Sequence, residues 1–220
     1  LKTIITTYDK GFVLAINGKW GTGKTTFVEM WKAYLELNEF KTLYFNAWGN
    51  DFISDPLVGL LGELKEISLS TKTTTTFTSI LTRLGKITIK AGPSILKAML
   101  KGKVGEEALN IISDFIEEGS TLLSKEIDNY ESQKKSLEFF QNELKNFVDE
   151  ACDKKPLIFI IDELDRCNPH YAVKTLERIK HLFNIPNIVF VLSIDKEQLS
   201  NSIRGYYGSD LIDADEYLKR

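Results

Sequence analysis

The sequence predicts an α/β fold, a three-layer sandwich with a mostly parallel sheet and a helical insertion inside it. Two observations carry this fold class. Four short apolar runs alternate with segments whose apolar residues recur at helical spacing, the pattern of a parallel sheet covered on both faces. Between the second and third runs, from residue 52 to residue 155, the alternation gives way to a stretch of different composition. Residues 1–51 and 156–220 therefore read as one core, and 52–155 as a mainly helical insertion with a polar loop near 68–79.

The elements follow in order. Gly11–Asn17 is a buried strand ending at a glycine-rich turn. Phe27, Met30, Trp31, Tyr34 and Leu35 then mark a helix from about Lys24 to Leu37. Thr42–Asn46 is the second strand, and Asp55-Pro56 opens a helix with proline where its missing N–H is harmless. Leu57, Leu60, Leu61 and Leu64 form the apolar face of that helix. The Ser/Thr-rich stretch from Ser68 to Ser79, with its threonine ladder from Thr71 to Thr78, reads as a loop or linker. No acid occurs between Glu66 and Glu106, whereas Lys72, Arg83, Lys86, Lys90, Lys97, Lys101 and Lys103 are basic. From Glu106 the balance reverses, and an amphipathic segment runs to about Glu150 with Leu137, Phe140, Leu144, Phe147 and Val148 on one face. Pro156–Ile161 and Asn187–Leu192 are the last two strands. Ala172, Leu176, Ile179 and Phe183 mark the helix between them, and Asp195 with Gln198 forms a capping-box start for another.

Composition narrows the function classes. The chain is 43% hydrophobic and 27% charged, ordinary for a globular domain, and its net charge of −3 gives no bulk argument for nucleic acid. Two cysteines, Cys152 and Cys167, are too few for a disulfide framework or a four-ligand zinc site and read as reduced thiols. His170 and His181 lack partners at metal-ligand spacing. No apolar stretch reaches the roughly 18 residues of a membrane-spanning helix. The chain begins at Leu1 with no signal segment, which reads as a fragment of a longer cytoplasmic protein, with membrane association left open. The basic stretch is a solvated helical face packing on the acidic segment, or a patch for an anionic membrane surface or nucleic acid.

The chemistry is concentrated in three places. Gly18-Lys-Trp-Gly-Thr-Gly-Lys24-Thr25 fits G-x-x-x-x-G-K-[ST], placed between a strand and a helix as a P-loop requires. A chance match in a chain of this composition is on the order of one per cent. Glycines let backbone N–H groups curl around a triphosphate, and the helix points its positive end at the same anion. Gly18, Trp20, Gly21, Thr22, Gly23, Lys24, Thr25 and Thr26 are the candidate nucleotide-binding residues. Lys24 would reach the β- and γ-phosphates of ATP and Thr25 would hold Mg²⁺. Trp20 is equally a hydrophobic prop for the loop. Leu157–Asp162 followed by Glu163 is a strand delivering acids, the Walker B arrangement: Asp162 for Mg²⁺, mostly through its water shell, and Glu163 as general base on the attacking water. Ser193, ending the last strand, is either a phosphate sensor or a plain turn serine. It would fall near the γ-phosphate if its strand lies between those bearing Lys24 and Asp162. Asp195 reads as a helix cap. Neither a D-x-x-G nor an N-K-x-D guanine pattern is present, and no L-S-G-G-Q signature, which argues against a GTPase and a transport ATPase.

These stretches resemble the KAP family of P-loop NTPases. The likeness is carried by Gly18–Thr26 with its tryptophan, by Phe45-Asn-Ala-Trp48, and by Asp162-Glu-Leu-Asp-Arg-Cys167, with support from Phe190–Asp195 and Asp213–Leu218. The resemblance implies an ATPase with an extra sheet strand related to the AAA and signalling classes. It also implies an insertion between the P-loop helix and Walker B, self-association through the NTPase domain, and a C-terminal lid beyond Arg220. It suggests phage defence or membrane-linked signalling, with turnover driving or gating a conformational change alongside further domains of the same protein. Where the family commonly has two aspartates this chain has Asp162-Glu163, which favours hydrolysis over a slow or non-hydrolysing ATP-gated scaffold. Asp165 and Arg166 match family positions, and Arg166 either acts on a neighbouring subunit's nucleotide or pairs with an acid to brace the motif.

Overall fold

The computed structural model describes residues 5, 11–53, 55–71, 73, 76–77, 79–80 and 126–218. Strands β1 (Phe12–Asn17), β2 (Thr42–Asn46), β3 (Leu157–Asp162) and β4 (Ile188–Ile194) form one parallel sheet in the order β1-β4-β3-β2. The two central strands, β3 and β4, are buried at every residue, as their unbroken apolar runs require when both sheet faces are covered. Edge strands β1 and β2 alternate in burial instead. β4 lies between β1 and β3, so Ser193 pairs in register with both Ile16 and Asp162.

Helix α1 (Lys24–Leu37) has the predicted bounds but a narrower buried face. Val28, Trp31 and Leu35 pack with Ile158, Ile160, Val189 and Val191 of the sheet. Phe27, Met30 and Tyr34, expected on that face, are 45%, 69% and 49% exposed. They form a neighbouring stripe at the same 3-4 spacing, and a helix lying on a flat sheet buries only one such stripe. On the opposite sheet face the Phe159 and Phe190 rings stack, with centroids 5.5 Å apart.

Helix α2 (Pro56–Thr71) starts where the Asp-Pro pair predicts, Asp55 accepting a hydrogen bond from Leu57 N at 3.1 Å. It continues through Ser68–Thr71, which the polar composition assigns to a loop. The hydroxyls of Ser70 and Thr71 turn back onto the Ile67 carbonyl, each at 2.8 Å, so these residues satisfy themselves within the helix. Helix α3 (Glu126–Ala151) buries Phe140, Leu144, Phe147 and Val148 as predicted. Helix α4 (Pro169–Ile179) is capped by the Asn168 side chain and ends before Phe183, whose ring meets Phe190 edge-on at 5.4 Å. Asp195 caps α5 (Lys196–Tyr207), accepting from Glu197 N and Gln198 N, and a short α6 (Ala214–Leu218) follows.

The chain forms two compact units, Leu1–Glu63 with Lys155–Arg220, and Leu64–Lys154. The first half of α2 belongs with the sheet, because a Cβ on Gly59 would touch the Phe45 ring at 2.8 Å. The basic residues Lys72, Arg83, Lys86, Lys90, Lys97, Lys101 and Lys103, and the acidic segment from Glu106 to residue 125, lie outside the described residues. Among the described residues no helix is long and apolar enough to cross a membrane.

Candidate functional site

The glycine-rich turn leaves β1 at Asn17, and Gly18 N donates to Ile194 O at 3.1 Å, tying the loop to the end of β4. Gly21 and Gly23 have φ of 79° and 84°, left-handed conformations that glycine adopts without strain. Thr22 Oγ1 donates to Lys19 O at 2.7 Å, closing the loop on itself. Lys24, first residue of α1, turns its ammonium back onto the carbonyls of Gly18 (2.7 Å) and Lys19 (3.2 Å).

Across the sheet, β3 delivers Asp162 at its end. Its carboxylate is 1% exposed, and each oxygen accepts a hydrogen bond: Oδ1 from Glu163 N at 3.0 Å, Oδ2 from the Tyr44 hydroxyl at 2.9 Å. Burial, then the bond to Asp162, raises the Tyr44 phenol above its ordinary pKa, so it stays a donor. Glu163 follows with φ of 60°, a left-handed turn that costs a non-glycine residue about 1 kcal/mol. That turn releases the chain from the sheet and swings the Glu163 side chain sideways. Its Oε2 accepts from Asn46 Nδ2 at 3.1 Å, and its Oε1 pairs with Arg166 Nη1 at 2.8 Å. The Arg166 guanidinium lies 5.8 Å from the Trp20 ring centroid and 5.6 Å from that of Trp48. Asp165 Oδ2 accepts from Trp20 Nε1 at 2.6 Å, a polar tether between the P-loop and the turn after β3. Trp20 is 52% exposed and is held through its N–H by Asp165, so what ties it to the turn after β3 is a polar bond rather than the hydrophobic propping expected.

A cavity of about 250 Å³ is lined by Trp20, Gly21, Gly23, Lys24, Thr25, Asp162, Glu163, Asp165 and Arg166. The structure therefore brings together most of the residues singled out in the sequence. Gly18, Thr22 and Thr26 are not among the lining residues. Ser193 is fully buried beside Asp162, and its Oγ, like Asp165 Oδ1, has no hydrogen-bond partner among the described residues. Arg166 pairs with Glu163 rather than with its neighbour Asp165.

Sequence reasoning missed Tyr44 as part of the site, and it used Asn46 and Trp48 only as marks of resemblance. The signal was present for two of them: alternate residues of a strand share one face, and Tyr44 and Asn46 reach Asp162 and Glu163 respectively. Trp48 lies in the helical turn after β2 and reaches Arg166. What the sequence does not reveal is the pairing of β2 with β3, which sets Asn46 opposite Asp162.

Asp162 and Thr25 offer a carboxylate and a hydroxyl, oxygen ligands of the kind Mg²⁺ accepts while keeping several waters. Among the described residues no cluster of three or more His, Cys, Asp or Glu side chains forms a metal site. Cys167 is no candidate nucleophile. Burial, then the nearby charges of Asp51, Asp165 and Glu163, pushes its thiol up to about 12.

No curated protein matches the chain. The family model described as the KAP family P-loop domain matches residues 1–220, the whole chain. With a glycine-rich loop between β1 and α1, an acid pair ending β3, and that match along its full length, the chain belongs to the KAP family of P-loop domains, a nucleotide-binding fold.

Proposed function

We propose that this domain binds ATP with Mg²⁺ and hydrolyses it. The observation that carries the reading is the convergence of Lys24 and Thr25 from the P-loop with Asp162 and Glu163 from β3 on one cavity. That cavity is smaller than the roughly 300–1,000 Å³ of ordinary ligand pockets, so it would receive the phosphate end of the nucleotide. Lys24 would exchange its two carbonyl partners for phosphate oxygens. Mg²⁺, held by Thr25 and through water by Asp162, would neutralise charge on the phosphates. Glu163 would accept a proton from the attacking water. Ser193, buried and unpartnered next to Asp162, is suited to sense the phosphate through a small movement of β4.

A slowly turning or non-hydrolysing, nucleotide-gated scaffold is the second reading. It is favoured by one observation: both Glu163 oxygens are engaged, by Arg166 and Asn46. In either case the nucleotide cycle would drive or gate a conformational change in a larger protein, through self-association or further domains. The settings that the family resemblance suggests, phage defence or membrane-linked signalling, rest on that resemblance alone. Unchanged survival of infected cells lacking the gene would remove the defence setting.

The first test is the melting temperature with Mg·ATP, Mg·GTP or neither, for the wild type and Lys24→Ala. Ligand at about 100 times its Kd adds about 2.7 kcal/mol of stability, an upward shift expected with ATP and absent in Lys24→Ala. No shift in the wild type refutes nucleotide binding by this chain. Turnover by the wild type that Glu163→Gln abolishes separates the ATPase from the scaffold.

A further inference from the structure

We propose that Arg166 is a γ-phosphate-reading positioning residue acting within its own chain: on arrival of a nucleoside triphosphate its guanidinium exchanges Glu163 for terminal phosphate oxygens and so frees the carboxylate. The proposal rests on the nucleotide-binding reading above and goes beyond it, because it assigns how the site distinguishes a triphosphate from a diphosphate.

The placement of Arg166 is the first reason. It lines the same cavity as Lys24 and Thr25, so it reaches the phosphate end of its own site. Its pairing is the second. The 2.8 Å bond to Glu163 joins a side chain 39% exposed to one 17% exposed, so the arginine is the partner nearer solvent. A γ-phosphate carries more negative charge than one carboxylate and offers three oxygens to a planar fork of donors, so it competes well for the guanidinium. The third reason is the aromatic slot. The Trp20 and Trp48 rings attract the cation without taking a hydrogen bond from it, so the guanidinium can pivot between acceptors while staying in contact with them. Trp20 belongs to the P-loop and is bonded to Asp165, so the slot is built partly from the loop that would hold the nucleotide. Finally, Glu163 keeps its second bond, to Asn46 at 3.1 Å, when Arg166 leaves. The released carboxylate is then both unpaired and fixed, the condition a general base needs. A diphosphate leaves the γ-position empty and the Arg166–Glu163 pair intact.

The chain reports this exchange itself. Trp20 and Trp48 are each 52% exposed and flank Arg166, whereas Trp31 is 7% exposed in the core, so a change in tryptophan emission on nucleotide binding reads the slot. The experiment titrates the full chain with Mg·ADP and with a β,γ-methylene analogue of ATP, following emission and affinity, for the wild type, Arg166→Ala, Arg166→Lys and Glu163→Gln. The wild type should show an emission change with the analogue beyond the one that ADP produces through Trp20 of the P-loop. Arg166→Ala should lose that change and about ten-fold in analogue affinity, the size of one charge-assisted hydrogen bond, with ADP affinity retained. Arg166→Lys should recover part of the affinity. Glu163→Gln should bind the analogue about three-fold more tightly, since a partly exposed ion pair no longer competes. The analogue is not hydrolysed, so blocked turnover cannot mimic that gain. Equal emission changes with both nucleotides, or equal loss of both affinities in Arg166→Ala, would make Arg166 a brace and overturn the proposal while leaving nucleotide binding intact. Binding of neither nucleotide to the wild type overturns both readings.

Discussion

Tyr44→Phe tests whether the second strand holds the Walker B aspartate. The substitution removes one oxygen and leaves the ring, so packing is preserved. Asp162 is 1% exposed, and its Oδ2 then loses the 2.9 Å bond from the phenol. A hydrogen bond to a charged group contributes about 1.5–3 kcal/mol, and losing it leaves a buried acceptor unsatisfied. Two effects reduce that cost: the phenol is itself only half-buried, and its own desolvation is relieved. A loss near the lower limit, about 1.5 kcal/mol, is therefore expected. For a chain of this size it corresponds to a fall in Tm of roughly 3–6 °C. Differential scanning fluorimetry and urea unfolding measure it. The variant should also need more Mg²⁺ for ATP-dependent stabilisation, because the carboxylate is no longer fixed. An unchanged Tm and an unchanged Mg²⁺ requirement together would show that the phenol does not position Asp162.

Three further outcomes follow from the packing. In Gly11→Ala the new Cβ meets the backbone carbonyl oxygens of Phe183 and Ile185, which cannot turn away, so urea unfolding should show about 1–3 kcal/mol of destabilisation. Asp55 is 3% exposed, caps α2 and pairs with Arg178 at 2.8 Å. Asp55→Ala should cost about 2–3 kcal/mol, discounted because Arg178 is partly exposed, and a double-mutant cycle with Arg178→Ala should show non-additivity, absent only if the pair is not formed. Cys152 and Cys167 are buried and form no disulfide, and the Cys167 thiol is pushed up to about 12 by burial first and neighbouring acids second. A chromogenic disulfide reagent at pH 8 should label neither within minutes in the folded chain and both in guanidinium. Fast labelling of Cys167 in the folded chain would contradict the burial.

The strands and the P-loop were legible as elements because each has a local signal. β1, however, read from its apolar run as a buried strand, lies at the edge of the described sheet and alternates between half-buried and exposed residues. An apolar run without polar alternation reads as a central strand, and β3 and β4 are central. Gly21 and Gly23 occupy left-handed positions, so the glycine pattern is a direct print of the backbone. The burial of α1 was half legible: the sequence offers two adjacent apolar stripes, and only the presence of one flat sheet face decides that Val28, Trp31 and Leu35 go inward. The end of α2 was not legible, since serine and threonine favour loops until their hydroxyls find a carbonyl one turn back, as Ser70 and Thr71 do. The residues that hold the acids lay outside reach for a different reason. Tyr44 and Asp162 are 118 positions apart, and no local pattern reports which strands become neighbours.

That long-range pairing changes how the acid pair should be understood. In a parallel sheet Asn46 lies opposite Asp162, and the two-residue period of β2 places Tyr44 on the same face one step earlier. The edge strand thereby grips Asp162 and Glu163 separately, with a phenol for the first and an amide for the second. On the other side, Trp20 of the P-loop holds Asp165 and shares Arg166 with Trp48. The turn after β3, from Glu163 to Arg166, is thus suspended between the phosphate-binding loop and the edge strand. Both supports touch the segment that carries the Arg166–Glu163 pair, whereas Asp162 is buried at the end of a central strand and bonded at both oxygens. In the proposed reading, aspartate for the metal and glutamate for water are therefore not interchangeable here. The first sits at the end of a central strand with both oxygens bonded, and the second sits on a turn whose ion pair is, as proposed above, exchanged for phosphate.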